Sequence, residues 1–277
     1  MPPVPALRRK PITRIRGGEP AEEADDLVAV EEPLEIRING RSIAVVMRTP
    51  GHDRELAAGF LVTEGLLRHR DDVLDIIGCS ASREDSADAT PRAENVMDVL
   101  LSGRAQGDVA RLTRHVFTSS SCGICSKASI DAVRTQFAPL AQPSRLRREV
   151  LISLPDRLRE QQVGFAASGG LHASALFSEA GELELLREDV GRHNALDKIV
   201  GQAFLAERLP LTGRILLVSG RVSFELMQKA LAAGIPGVAA ISAPTSAAVE
   251  FARESGQTLV GFLRGERMNV YAGTLTE

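Results

Sequence analysis

Residues 214–263, RILLVSGRVSFELMQKALAAGIPGVAAISAPTSAAVEFARESGQTLVGFL, decide the fold, because short apolar runs alternate there with helical periodicity. Three runs predict buried strands: Arg214–Ser219, Val238–Ser242 and Leu259–Leu263. Ser223 and Thr245 are each predicted to cap the helix that follows them. Strands that alternate with helices in this way predict an α/β domain, a sheet with helices on its faces.

The first half of the chain predicts a smaller α+β unit. Leu27–Met47 contains strand-like runs around Asn39-Gly40, which is a strong hairpin signal. A helix is predicted over Arg54–Leu67, with Asp53 as its cap. Asn95–Ser102 is apolar on both faces, which favours an interior strand.

These patterns predict three regions. Residues 1–26 are predicted to be a disordered tail, since they hold prolines, glycines, a basic stretch and an acidic stretch but little to bury. Residues 27–114 form the small α+β subdomain, and residues 115–277 form the α/β domain.

Composition excludes several classes of function. The 277 residues carry a net charge of −3, 4% aromatic residues and no Trp, so neither an overall basic field nor stacking platforms for nucleic acid are expected. No apolar run approaches the roughly 20 residues that cross a bilayer, and the amino terminus lacks the apolar core of a secretory signal. We therefore expect a cytoplasmic protein that binds neither nucleic acid nor membrane.

The sequence Thr118-Ser-Ser-Ser-Cys122-Gly-Ile-Cys125-Ser126 contains two of the three cysteines in the chain. It precedes a run with helical spacing, so the thiols are predicted near the positive end of a helix dipole, which favours the thiolate. A thiolate is a nucleophile, a metal ligand or a sulfur carrier.

The CxxC pattern alone leaves several interpretations open. Structural zinc requires two further ligands, but the chain has no second CxxC pair, and Cys79 and His115 could complete a site only by chance of folding, so no metal site is predicted. A thioredoxin-like dithiol and a pair of ordinary cysteines both remain open. Deaminase chemistry requires an H-x-E motif, which no histidine of the chain provides.

Three other stretches are candidate anion sites. Arg187–Lys198 lies at the entrance to a predicted helix, where Arg192, His193 and Lys198 can hold an anion, although a capped, solvated helix start explains the run equally well. Gly169-Gly170 and His172 form a turn that admits a phosphate or simply precedes a strand. Arg264 and Arg267 flank a turn that is either a solvated hairpin or a guanidinium fork.

Together these motifs resemble the FdhD/NarQ family of formate dehydrogenase accessory sulfurtransferases. The resemblance rests on the cysteine loop, on Arg187–Lys198, on Ser219–Glu225 and Ser242–Ser246, and on Thr49–Asp53 with Glu55–Gly65. It runs from about Leu27 to Tyr271.

The resemblance implies a sulfur carrier. A cysteine desulfurase would load a persulfide onto Cys122, with Cys125 as the neighbouring thiol, and the sulfur would pass to a molybdenum cofactor before its insertion into formate dehydrogenase. That cofactor, bis(molybdopterin guanine dinucleotide), would bind transiently, with a guanine nucleotide such as GDP as its mimic. Its binding stretch falls on Phe262, Leu263, Arg264, Gly265, Glu266 and Arg267.

The resemblance also implies a cytidine-deaminase-like C-terminal region without zinc chemistry, and a homodimer. Two competing hypotheses are a cofactor-delivery chaperone that transfers no sulfur and a CxxC dithiol oxidoreductase. The sequence does not decide whether Cys125 relays the sulfur or resolves the persulfide.

Overall fold

The structure, a computed structural model, describes residues 6–79, 95–103, 137–141 and 146–277. A 3-10 turn covers Arg70–Asp72. None of the helices in these ranges is long and apolar enough to cross a membrane. In chain order, the elements are β1 (Leu7–Arg14), β2 (Glu22–Ala29), β3 (Glu32–Ile38), β4 (Arg41–Arg48), α1 (Asp53–Thr63), β5 (Val73–Cys79), β6 (Val96–Leu101), β7 (Leu146–Arg147), α2 (Arg148–Gln161), α3 (Val163–Ser168), β8 (His172–Ser178), β9 (Leu183–Asp189), α4 (Arg192–Leu205), β10 (Arg214–Val218), α5 (Phe224–Ala232), β11 (Gly237–Ala240), α6 (Ser246–Ser255), β12 (Thr258–Arg264), β13 (Arg267–Ala272) and β14 (Leu275–Thr276).

A six-stranded sheet carries the second half of the chain, in the order β13-β12-β11-β10-β8-β9. Its three central strands β10, β11 and β12 are parallel and coincide with the predicted buried runs. Ser223 and Thr245 cap α5 and α6 as predicted, each accepting a hydrogen bond from a backbone N–H three residues later. The prediction of mixed α/β structure is confirmed, whereas the cytidine-deaminase-like arrangement stays a prediction.

A second sheet of four strands, in the order β4-β3-β6-β5, belongs to the first half of the chain. Its hairpin turns at Asn39 and Gly40, whose φ angles of 48° and 77° match the predicted two-residue turn. β6 lies between β3 and β5, so the interior position predicted for this strand is confirmed.

The prediction that Asp53 caps α1 is wrong. The residue before the helix is His52, which has left-handed backbone angles and no side-chain capping bond. The Asp53 carboxylate instead accepts two hydrogen bonds, each 3.0 Å, from the guanidinium of the fully buried Arg48. A buried guanidinium requires a carboxylate partner, and that requirement outweighs the capping preference.

Two apolar cores lie on the two faces of the six-stranded sheet. The larger one joins both sheets through α1 and α4, which pack against each other, and extends under α5 and α6. The smaller one lies between the sheet and α2. The domain boundary predicted at residues 114–115 falls outside the described residues.

The prediction of a disordered tail over residues 1–26 does not hold for its two longest segments. β1 and β2 pair as an antiparallel hairpin, in which Lys10 lies opposite Asp26 and Arg14 lies opposite Glu22. The basic and acidic stretches of the predicted tail therefore complement each other across the strands.

Candidate functional site

Three predicted binding segments, far apart in the sequence, meet at one edge of the six-stranded sheet. The parallel strands β10, β11 and β12 all end there. β8 is antiparallel to β10, so Gly169, Gly170 and the first residue of β8, His172, lie at the same edge. The end of β9, followed by Arg192 and His193, and the turn between β12 and β13 lie there for the same reason.

Three helix amino termini lie at this edge as well. α4 follows the end of β9, α5 follows β10 and α6 follows β11. A helix amino terminus presents unpaired backbone N–H groups and a partial positive charge. The edge is therefore electrostatically suited to anionic groups.

A cavity of about 640 Å³ opens at this edge. Gly169, Gly170 and His172, all singled out from the sequence, line it. Its size falls in the range typical of small-molecule sites. The other lining residues were not predicted and combine a mostly apolar wall with a few polar groups: Pro155, Leu158, Arg159, Gln162, Phe165, Ala166, Leu171, Ser219 and Ile241.

The two glycines of this cavity have structural reasons for their identity. Gly169 ends α3 with a φ of 65°, a conformation that glycine adopts without strain. A Cβ atom on Gly170 would lie 3.2 Å from the Cβ of Ala29 on β2. Both observations agree with the alternative that the pair is a turn before a strand, and the predicted phosphate contact stays a prediction.

His172 and Arg192 approach each other across the backbone of Gly220. A Cβ atom on Gly220 would lie 3.2 Å from His172 Nδ1 and 3.5 Å from Arg192 Cδ. Burial and the neighbouring Arg192 charge lower the pKa of His172, while Asp189 opposes them. The imidazole is therefore neutral near pH 7 and offers one N–H donor and one acceptor.

His193 is held by two residues of the next helix. Its Nε2 lies 3.1 Å from Ser223 Oγ and 3.5 Å from Glu225 Oε2. Burial, followed by the charges of Arg192 and Lys229, lowers the pKa of His193 to about 3. His193 is thus a neutral ring fixed in place.

Asp189, which was not singled out from the sequence, organises the turn before α4. Its carboxylate is fully buried and accepts hydrogen bonds from the N–H of Gly191 at 2.8 Å and from Asn194 Nδ2 at 3.0 Å. It also accepts a hydrogen bond from the N–H of Thr49 and forms a 2.7 Å ion pair with the buried Lys198. The turn that presents Arg192 and His193 is thus tied to the loop before α1.

The turn between β12 and β13 forms a second cleft, of about 990 Å³. Phe262 is 42% exposed and has a φ of 53°, and Arg264 Nε donates to the carbonyl of Ile241 at 3.3 Å. Because Ile241 also lines the first cavity, this turn and that cavity adjoin. The residues of this cleft are Arg148, Phe262, Arg264, Gly265, Glu266, Arg267, Met268, Asn269, Val270 and Leu275.

Two residues of this region differ from the sequence-based site. Leu263, included in the predicted binding stretch, is fully buried in the core under α2 and is absent from the lining of the cleft. Strand alternation points its side chain to the opposite side from its neighbours. Arg148 lines the cleft and was missed, because no local signal links the start of α2 to a turn more than a hundred residues later.

The two cysteines of the CxxC pair, Cys122 and Cys125, lie outside the described residues, as does His115. The third cysteine, Cys79, is the last residue of β5. The predictions for the cysteine loop therefore rest on its sequence and on relatives.

Comparison with known proteins identifies the family. A model of the FdhD/NarQ family matches residues 29–276. The chain is 55% identical over 269 residues to the sulfur carrier protein FdhD of Streptomyces avermitilis, covering 96% of this chain and 93% of the relative. It is 43% identical over 265 residues to the protein of the same name from Sulfolobus acidocaldarius, covering 96% of each.

A crystal structure supports the same assignment. A protein from Desulfotalea psychrophila, described as a putative formate dehydrogenase accessory protein, matches with a TM-score of 0.74 and 25% identity, covering 97% of this chain and 98% of that one. Sequence motifs, fold and relatives agree, and the chain belongs to the FdhD/NarQ family.

Proposed function

We propose that this protein is a sulfur carrier that takes persulfide sulfur from a cysteine desulfurase and delivers it to the molybdenum cofactor of formate dehydrogenase. The cofactor, bis(molybdopterin guanine dinucleotide), is its substrate and would bind before insertion into the enzyme. Relatives at up to 55% identity are named sulfur carrier protein FdhD, and the solved relative is described as a formate dehydrogenase accessory protein. The proposal depends on one observation: this chain of the FdhD/NarQ family contains a CxxC pair. The sheet edge described above, which suits an anionic ligand, supports it.

Loading is a thiolate exchange. The Cys122 thiolate attacks the terminal sulfur of a cysteine persulfide on the desulfurase. The sulfur–sulfur bond of the donor breaks, the donor cysteine leaves as a thiolate, and Cys122 becomes a persulfide that keeps the terminal sulfur with its proton. Sulfur at the formal oxidation state zero moves, and no external oxidant is needed.

Release to the metal has two forms, which differ in the role of Cys125. In the first, the Cys125 thiolate attacks Cys122 Sγ, the terminal sulfur leaves as hydrosulfide, and the resulting disulfide is later reduced by a dithiol. In the second, the Cys125 thiolate attacks the terminal sulfur and becomes the persulfide while Cys122 leaves as a thiolate. An external thiolate then attacks Cys125 Sγ, hydrosulfide leaves, and the mixed disulfide that remains is reduced by a second thiol. Each route supplies sulfur at the level of sulfide, which is the form a metal ligand requires.

The sheet edge described above offers groups that would hold the cofactor's phosphates. Arg264 and Arg267 flank an exposed turn beside Phe262, and Arg192, His193 and His172 lie where three helices begin. Guanidinium groups and helix amino termini are the usual partners of phosphate. In this proposal Phe262 and residues 264–267 hold the nucleotide part, Gly169 and Gly170 leave room beside it, and the protein works as a homodimer in the cytoplasm.

The proposal is tested by mass spectrometry of the protein after incubation with a cysteine desulfurase and cysteine. We expect a gain of one sulfur atom on the peptide that contains Cys122, and its absence in Cys122→Ala. Cys79→Ala is the matched control and should load normally. Cys122→Ala should also fail to restore formate dehydrogenase activity in a strain that lacks the native gene.

Two results would instead favour the competing functions. A protein without either CxxC cysteine that still restores formate dehydrogenase activity would indicate a delivery chaperone. Turnover of a disulfide substrate in the absence of molybdenum cofactor, without any sulfur gain at Cys122, would indicate a dithiol oxidoreductase.

A further inference from the structure

Arg192 has no hydrogen-bond or ion-pair partner within the described residues, although its neighbours in the Arg187–Lys198 run are engaged. Its Nε atom is buried and unpaired. By contrast, Asp189 and Lys198 bind each other, and Asn194 donates to Asp189. Asp197 receives two hydrogen bonds from Lys229. These neighbours are therefore paired with other groups, whereas the Arg192 guanidinium has no partner among the described residues.

The surroundings of Arg192 are prepared for a negative charge. His172 meets it across Gly220, where a Cβ atom would lie 3.2 Å from the histidine Nδ1, closer than most such contacts, and 3.5 Å from Arg192 Cδ. His193 and His172 both have lowered pKa values, partly because of the Arg192 charge. Two carboxylates of this region, those of Asp189 and Glu225, already face Lys198 and His193, respectively.

A second polar group on the same side of the sheet also lacks a partner. Ser174 is 1% exposed and its Oγ makes no hydrogen bond within the described residues. Because side chains alternate along a strand, Ser174 lies on the same face of β8 as His172 and Leu176, and Leu176 belongs to the core beneath α4. The Ser174 hydroxyl is thus a second buried polar group on this side of the sheet whose hydrogen bonds are not made within the described residues.

We propose that Arg192, with His172 beside it and the first turn of α4 behind it, binds a phosphoryl group of the cofactor's nucleotide portion. This inference rests on the proposed function and assigns one chemical group of the substrate to one residue. Arg264 is partly committed, since its Nε already donates to Ile241. Arg192 is therefore the principal phosphate ligand at the ends of β9 and β10, and His193 is a positioning residue held by α5.

The thermal stability of the free protein distinguishes a ligand-binding role of Arg192 from a structural role. An unpaired, partly buried cation destabilises the free protein, whereas an arginine that holds the fold together stabilises it. Arg192→Gln should leave the thermal midpoint of the free protein unchanged or raise it. The same variant should lose affinity for an anionic ligand only.

The test is isothermal titration of the full-length protein with GDP and, separately, with guanosine. We expect Arg192→Gln to weaken GDP binding by roughly tenfold or more, as for the loss of a charged hydrogen bond, and to leave guanosine binding unchanged. Arg192→Lys should recover part of the GDP affinity. Arg208→Gln, which removes an arginine shortly after the carboxyl end of α4, is the control and should bind GDP normally.

Each outcome decides between the possibilities. GDP affinity unchanged in Arg192→Gln, or equal losses for GDP and guanosine, would overturn the phosphoryl assignment, as would a large loss of thermal stability in the free variant. Loading of Cys122 by the desulfurase should remain normal in Arg192→Gln. If the phosphoryl assignment is wrong, the wild-type protein should still be loaded with sulfur at Cys122. If the proposed function is wrong, the wild-type protein should not be loaded.

Discussion

Gly59 on α1 and Gly201 on α4 bring the two central helices into backbone contact. A Cβ atom on Gly59 would lie 1.8 Å from the carbonyl oxygen of Asp197, and a Cβ atom on Gly201 would lie 1.7 Å from the carbonyl oxygen of Glu55. These helices join the two sheets, and α4 begins with Arg192 at the proposed binding edge. The close contact thus couples the smaller sheet to the position of the site.

We expect Gly59→Ala and Gly201→Ala each to lower the free energy of unfolding by about 3 kcal/mol or more, because a methyl group cannot be accommodated without separating the helices. Denaturant unfolding followed by circular dichroism measures this loss. Gly17→Ala, at a position with nothing within 4 Å, is the matched control. Wild-type stability in both helix variants would contradict the contact.

A buried ion pair next to this contact gives a second prediction. Lys229 lies 2.9 Å from Asp197 and is 2% exposed. Burial opposes its charge, but the carboxylates of Asp197 and Glu64 raise the pKa of Lys229 above its usual range. Lys229→Met should cost about 3–5 kcal/mol, because it leaves Asp197 buried without its cation.

The double variant Lys229→Met with Asp197→Leu should cost less than the sum of the two single variants, by about 2 kcal/mol or more. Chemical denaturation of all four proteins gives this coupling energy. Strict additivity would show that the pair contributes no interaction of its own.

Stability should fall as the pH falls below about 6.5. In the unfolded chain His193 takes up a proton near the ordinary histidine pKa of 6.5, whereas burial keeps the folded ring neutral down to a pKa of about 3, so the unfolded state binds more protons in this window. One such group changes stability by up to about 1.4 kcal/mol per pH unit. His193→Gln should flatten the profile between pH 6.5 and 4.5 in urea titrations, while the exposed His69→Gln should not.

Below pH 4.5 the carboxylate of Glu55 also contributes to the loss of stability. Burial raises the pKa of Glu55, but Arg187 and His52 lower it more, to about 2, so its stabilisation is present above pH 4.5 and is lost as the pH falls toward 2. Glu55→Gln should remove this part of the profile. A parallel slope in Glu55→Gln and the wild type would contradict it.

The turn between β12 and β13 should bind nucleotide through its arginines. Replacing Arg264 and Arg267 together by Gln should weaken GDP binding by about tenfold or more and reduce formate dehydrogenase activation, because charge-assisted contacts to phosphate are lost. Loading of Cys122 should not change. Arg9→Gln together with Lys10→Gln on β1 removes the same charge and is the control, and its equal effect would indicate a general electrostatic influence.

Much of the fold follows from local patterns. The central strands, the capped helices α5 and α6 and the Asn39-Gly40 turn are encoded within a few residues each, and all were predicted. Helix α2 was not predicted from the sequence, although Val150, Leu151, Leu154 and Leu158 have helical spacing, because a proline such as Pro155 usually interrupts a helix. The signal was present, and the packing of those residues against the sheet outweighs the cost of an interior proline.

Features that depend on distant partners were not accessible from sequence. The charges of β1 and β2 match only when the two strands pair. Nothing in the sequence distinguishes Asp189 from the other acidic residues, because its role comes from contacts with Thr49, Asn194 and Lys198 in the folded protein. The predicted cofactor-binding residues were chosen from local motifs, whereas the meeting of their segments at one sheet edge is a consequence of topology.

The most direct test of sulfur transfer follows one labelled atom. The desulfurase is supplied with cysteine containing radioactive sulfur, and the label is measured on this protein, on the molybdenum cofactor and on matured formate dehydrogenase. We predict label on Cys122 first and then on the cofactor recovered from active enzyme, with none on the cofactor when Cys122 is replaced by Ala. Label on the cofactor in that variant, or active enzyme without label, would contradict the proposed function.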